Sequence, residues 1–172
     1  MRAVYDAVLV GRNTVEYDNP RLTVREAKGR NPYRIVIDTD LKLHHSKNIF
    51  SDRFRDRTII LASKAVDEEK KLMLEKRGVR VILCNTLGDN INLQGAFRKL
   101  AALGISSILA EGGAYTYRQL IRQRLVDEFM LFIAPKIMGK GIEAFGIKTD
   151  FKGFSKINFF KSDNDVVINM TK

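Results

Sequence analysis

The chain has 172 residues, a formal net charge of +10 and 45% hydrophobic residues. That predicts one domain with a packed core and excludes a disordered chain. No apolar run approaches the ~18 residues of a membrane span, and the opening MRAVYDAVLV lacks the apolar stretch and small-residue cleavage site of a secretion signal.

A single cysteine, Cys84, excludes an internal disulfide framework and fits a cytoplasmic setting. Within VRVILC it is expected to pack as a small hydrophobe. The positive charge is compatible with a solvated surface, with steering of phosphorylated ligands, or with nucleic acid. Tryptophan is absent and the aromatic residues do not interleave with the basic ones. Nucleic acid is therefore the least favoured of the three.

In chain order, Ala7 to Gly11 (AVLVG) predicts a buried strand. Val15 to Pro32, rich in Asn, Asp, Arg and Pro, predicts a long loop of the kind that carries function. Tyr33 to Asp38 and Thr58 to Ser63 predict two further strands. DEEKKLMLEKRG predicts a helix capped by Asp67, with Leu72 and Met73 facing inward and Gly78 as its stop. VRVILC predicts a strand, and Leu93, Phe97, Leu100 and Leu103 have helical spacing up to Gly104. SSILAE predicts a strand and AYTYRQLIRQRL a helix. Short β-rich runs joined by helices predict parallel βαβ units. DEFMLFIAP predicts one more strand, and KINFFKS and DVVINMT a hairpin about Asp163-Asn164. The expected architecture is an α/β mixed sheet, parallel at its centre, with an antiparallel C-terminal hairpin and flanking helices.

Two stretches carry candidate chemistry. In LAEGGAYTYR, Glu111 ends a strand, and Gly112 and Gly113 lead into a helix start with free amides. Ligands of open α/β sheets bind at that end of the strands. The stretch reads either as a phosphate cradle or as a tight turn with a solvated glutamate. In DAVLVGRNTVEYDNPRLTVR, Thr14 and Asp18 share one face if the turn between them is helical. Arg25 offers a guanidinium for a phosphate, or lies on the surface. His44-His45 and one distant cysteine do not make up a metal set, so no metal is expected.

Taken together, DAVLVGRNTVEYDNPRLTVR, NPYRIVIDTDLKL, ILAEGGAYTYRQLI and LVDEFMLFIAPKIMGKG resemble, in order and spacing, the reductase domain of the bacterial riboflavin-biosynthesis deaminase/reductase family. The resemblance implies a dihydrofolate-reductase-like fold. It also implies NADPH-dependent reduction of the ribosyl group of 5-amino-6-(5-phospho-D-ribosylamino)uracil to the ribitylamino product, and a homodimer.

By position, it implies cofactor contacts at Thr14, Asp18 and Thr39, and at Gly113, Ala114, Tyr115, Thr116, Tyr117, Arg118 and Gln119 around the diphosphate. It implies substrate contacts at Arg2, Leu22 and Arg25, with Arg25 near the phosphate. Glu111 is implied as the substrate-side carboxylate, and it is our candidate for moving protons as the sugar opens. Ser63-Lys64 is a candidate for the 2′-phosphate of the cofactor. Relatives open this domain with a further strand, an S-x-D-G-type element and a helix. By that resemblance, this chain is expected to start at the end of that helix, without the deaminase domain, and its sheet to lack a strand.

Overall fold

The computed structural model describes residues 1–141, 143–145 and 153–172. Five strands form a wholly parallel sheet: β1 (Ala7–Gly11), β2 (Tyr33–Ile37), β3 (Thr58–Ser63), β4 (Arg80–Cys84) and β7 (Ile108–Ala110), in the order β4-β3-β2-β1-β7. A two-stranded ribbon, β5 (Thr86–Leu87) and β6 (Asn90–Ile91), leads out of β4. Near-continuous apolar strands belong in a sheet covered on both faces, and alternate residues separate accordingly. Val8, Val10, Val36, Ile60 and Val81 join one core. Ala7, Leu9, Ile35, Ile59, Leu61 and Cys84 join the other.

Helices α1 (Arg12–Asp18) and α3 (Glu68–Lys76) cover the first face through Val15 and Leu74. Helices α4 (Leu93–Ala101) and α5 (Ala114–Arg122) cover the second through Leu93, Ala96, Leu100 and Leu120. Cys84 is buried as a small hydrophobe, and burial pushes its thiol up.

The chain leaves β1 toward β2, β3 and β4, then crosses back to place β7 on the opposite side of β1. α1 and α5, which follow β1 and β7, therefore cover opposite faces. In α/β sheets such a divergence marks the switch point, whose crevice at the carboxyl ends of the two strands takes ligands.

β8 (Glu128–Ile133), β9 (Lys156–Ser162) and β10 (Asp165–Thr171) form an antiparallel sheet in the order β8-β10-β9, turning at Asp163, whose φ is +54°. The antiparallel strands thus stand as a separate sheet and do not extend the parallel one. Among the described residues, the outer edges of β7 and β8 pair with no strand. The two sheets are tied together at Phe145, whose ring lies between Tyr117 of α5 and Phe129 of β8. Tyr5 adds a second tie beside Glu128, and burial with that carboxylate pushes its phenol up.

Three local expectations change. Residues 15–18 belong to α1, so the loop begins at Asn19, the left-handed cap of that helix. Leu72 and Met73 are exposed and Leu74 is buried, because charged residues crowd α3 and leave it only a narrow contact on the sheet. Leu103 lies beyond the end of α4 and is exposed. A short helix α2 (Asn48–Ser51), the 3₁₀ turn Arg55–Arg57 and the β5–β6 ribbon are elements without a periodicity long enough to read.

Candidate functional site

The crevice is lined on the β7 side by Glu111-Gly112-Gly113. The Glu111 N–H donates to Leu9 O at 2.9 Å, carrying the β1–β7 pairing to the strand end. Gly112 and Gly113 then take φ of +109° and +75°, a region that side-chain-bearing residues avoid. Across from them stands Thr14, in the first turn of α1. Its Oγ1 lies 3.2 Å from where a Cβ on Gly112 would sit, and 3.5 Å from one on Gly113. Sequence reasoning placed Thr14 and the glycines in one site, and the structure brings them together.

α5 starts directly after Gly113, with no side chain capping it. The amides of its first turn are thus available to an anion, with the positive end of the helix dipole behind them. One amide of the turn is occupied: Gly112 N–H donates to Tyr117 Oη at 2.8 Å. Gly11 admits α5 to this position, because a Cβ there would stand 2.5 Å from Thr116 Oγ1.

The side chains expected along α5 divide by helical phase. Thr116, Gln119 and Leu120 are buried toward the sheet, the i, i+3, i+4 face of the helix. Tyr115 is exposed and its hydroxyl reaches Asn90 Oδ1, while Arg118 Nε donates to Phe145 O at 3.2 Å. An anion at this end would therefore meet Gly113, Ala114 and the first-turn amides rather than the buried side chains. Asp18 is exposed on the last turn of α1. Thr39 follows β2, and its carbonyl accepts Ser63 N–H at 2.9 Å, which sets the two 2′-phosphate candidates beside the Thr39 turn. The Ser63 hydroxyl is taken by Ala65 N–H, leaving exposed Lys64 as the cation there. Buried Asp38 builds that turn by accepting from the amides of Lys42 and Leu43, and burial pushes its carboxyl up.

On the other side of Glu111 lies the arginine cluster. Arg2 donates through Nε and Nη2 to both oxygens of Glu111, at 2.8 and 2.6 Å for the shorter contacts, and through Nη1 to Thr23 O at 3.0 Å. The Glu111 carboxylate pushes the Arg2 guanidinium up. Arg2 and Arg25 line one open cavity of about 410 Å³, together with Met1, Thr23, Val24 and Glu26. Arg25 itself is exposed. Leu22, by contrast, sends its side chain into the core, at 3% exposure, from a backbone φ of +55°. A ligand can meet only its main chain.

Arg34, with Asp52 beneath this loop, went unnoticed in the sequence. A charged residue inside the apolar strand YRIVI was the available signal. Among the described residues, no group of three or more His, Cys, Asp or Glu is placed to hold a metal ion. His44 Nδ1 instead pairs with Ser46 Oγ at 2.8 Å.

This is an α/β domain with a glycine turn leading into an uncapped helix start and an arginine-lined cavity on either side of Glu111, at the switch point of its parallel sheet. Residues 1–168 match the RibD C-terminal domain family model, and the chain belongs to that family. It is 35% identical over 143 residues to the riboflavin biosynthesis protein RibD of Aquifex aeolicus, covering 83% of this chain and 38% of that protein. It is 34% identical over 140 residues to the 2,5-diamino-6-ribosylamino-4(3H)-pyrimidinone 5′-phosphate reductase of the same organism, covering 81% of this chain and 61% of that one. The chain thus spans less than two thirds of these relatives.

Among solved structures, the deaminase/reductase of Thermotoga maritima superposes with a TM-score of 0.74 at 29% identity, over 99% of this chain and 46% of that one. The riboflavin biosynthesis reductase of Saccharomyces cerevisiae superposes with a TM-score of 0.80 at 25% identity, over 99% and 76%. The fold is the dihydrofolate-reductase-like α/β fold of these reductases.

Proposed function

We propose that this domain performs the NADPH-dependent reduction of the ribosyl group of 5-amino-6-(5-phospho-D-ribosylamino)uracil to the ribitylamino product. One observation carries the reading. Glu111 stands at the junction of two anion-binding regions, followed in sequence by the Gly112-Gly113 turn and held in space by Arg2 of the arginine cavity. A dinucleotide and a sugar phosphate bound on either side of one carboxylate meet there.

The residues fit the cofactor. The glycines hold a conformation that keeps Cβ atoms away, and the first turn of α5 presents amides without a capping side chain. Gly113, Ala114 and these amides would hold the diphosphate, with Thr14 across the turn and Thr39 and Lys64 toward the 2′-phosphate. When bound, NADPH supplies the hydride. The chain's own residues hold the reactants together: Arg25 binds the substrate phosphate, Arg2 is a further substrate contact, and Glu111 moves protons at the sugar as it opens.

The relatives whose names state pyrimidinone phosphate reduction support the substrate class. A cytoplasmic location, where NADPH and the phosphorylated precursor are available, belongs to the same proposal. No helix among the described residues is long and apolar enough to cross a membrane.

Two structural points belong with this reading. Among the described residues, the edges of β7 and β8 that pair with no strand leave room for a further strand. A second reading, a domain that binds nucleotide or phosphosugar without turnover, draws on the same observation. The exposed apolar residues of the antiparallel sheet support a homodimer. By register, Ile133, Val166, Ile157 and Phe159 share one face, and all four are exposed.

The test is a titration with NADPH and with NADH, followed by cofactor fluorescence, and a turnover assay with the pyrimidine. Both are run on this chain and on one extended at its N-terminus. NADPH-selective binding with turnover in either chain supports the reductase. Binding without turnover in both supports the second reading, and steeply salt-dependent binding to any duplex without NADPH binding would support a nucleic-acid domain.

A further inference from the structure

We propose that Arg34 is a positioning residue that sets the substrate side of the cleft through the main chain of residues 21–25; the proposal rests on the reductase reading. Arg34 lies inside β2 and is 1% exposed. All its N–H groups have acceptors. Nη1 and Nη2 grip the two oxygens of Asp52 at 2.6 and 3.0 Å, and Nε and Nη2 reach Thr58 Oγ1 at 3.1 and 2.7 Å. Nη2 also donates to Ile49 O at 2.9 Å, and Nη1 to Arg21 O at 3.2 Å.

The last contact reaches the site. Arg21 C=O and Leu22 N–H belong to one peptide unit, so holding that oxygen fixes the plane from which Leu22 turns to its φ of +55°. A leucine leaves that conformation unless its surroundings hold it. Two residues on, Arg2 Nη1 holds Thr23 O at 3.0 Å, and before them Asn48 Nδ2 holds Asn19 O at 2.7 Å. Side chains thus grip alternate carbonyls from Asn19 to Thr23, where a strand would have used a neighbouring strand. With Leu22 anchored in the core, the direction of the chain into Arg25 is determined, and with it the phosphate end of the cavity.

Stability alone does not account for such a group, because buried ion pairs in other proteins are replaced by apolar residues at little or no loss. Lysine keeps the charge for Asp52 but lacks the planar fork that reaches Arg21 O at the same time.

The experiment compares the parent with R34K, and with D52N as a second variant should R34K fail to fold. It combines steady-state kinetics in both substrates with amide hydrogen exchange on the ligand-free proteins. In the variants, the KM for the phosphoribosylaminouracil should rise about tenfold or more, while kcat and the KM for NADPH stay within about twofold. Exchange should quicken at residues 22–25 and stay unchanged in β1 and β3. An unchanged pyrimidine KM overturns the proposal. So does a fall in kcat with both KM values raised and protection lost throughout, the mark of a merely structural role. If neither the parent nor its N-terminally extended form turns anything over, the reductase reading fails separately. Exchange at residues 22–25, and affinity for inorganic phosphate in the cavity, then decide: unchanged values in both variants overturn the role of Arg34.

Discussion

Arg2 and Glu111, separated by 109 positions in the chain, form a two-pronged ion pair across the mouth of the crevice. The same guanidinium holds Thr23 O. One side chain thus joins the arginine cavity to the glycine turn, and the carboxylate lies between the regions proposed for substrate and cofactor. Replacing Glu111 by Gln should lower kcat by about 100-fold or more, the scale of a lost proton-transfer group, and leave NADPH affinity nearly unchanged. Stopped-flow turnover beside a fluorescence titration reads both. A parental turnover number would remove Glu111 from the chemistry.

Arg25 has a different expected signature. It lines the cavity and has no place at the glycine turn. Arg25→Ala should raise the KM for the phosphorylated pyrimidine by about tenfold or more with kcat little changed, the pattern of lost uniform binding. Substrate lacking its phosphate should bind parent and variant alike. Equal KM values for the phosphorylated compound would refute the phosphate role.

Gly112→Ala tests the cradle. The residue has φ +109°, and its new Cβ would press on Thr14 Oγ1 at 3.2 Å. Holding a side-chain-bearing residue there costs about 1–3 kcal/mol, so the turn should relax and the helix start shift. NADPH affinity should fall several-fold, measured by calorimetry, with phosphate binding at the arginine cavity retained. A variant that binds NADPH like the parent would show that the diphosphate rests elsewhere.

Acid stability should depend on Asp6. Its carboxylate accepts from Ser106 Oγ–H and N–H and from Ser107 Oγ–H and N–H, and it pairs with Arg30. Those bonds, Ser106 foremost, hold its carboxyl well below the usual carboxylate range. A depressed folded-state pKa means stability that is complete above the unfolded value near ~4 and lost as pH falls toward the folded one. Asp6→Asn should lower the melting temperature at pH 7 and flatten its decline below about pH 4. Parallel curves for the two proteins would contradict this account.

The antiparallel sheet leaves Phe159 at 68% and Ile157 at 52% exposure on the same face as Val166 and Ile133. Contiguous apolar surface of this kind marks an interaction site. Light scattering on a sizing column should give a dimer for the parent and a monomer for Phe159→Lys, with circular dichroism unchanged. A monomeric parent at high concentration would sink the dimer.

The sequence by itself determined the local structure: apolar runs of strand length, helices bounded by Asp67 and by glycines, and the hairpin at Asp163 were legible because their signals are short-range. The glycines of the crevice were legible too, since a strand end followed by Gly-Gly and a helix start restricts what the backbone can do. Only the tertiary structure decided which side chains meet. The pairing of Arg2 with Glu111, the phase of α5 that buries Thr116 and Gln119, the grip of Arg34 on Arg21 O and the split into two sheets all join segments far apart in the chain. Periodicity reports which face of an element is apolar; it does not report what packs there, because that follows from strand order and from the few polar groups that must find partners once buried.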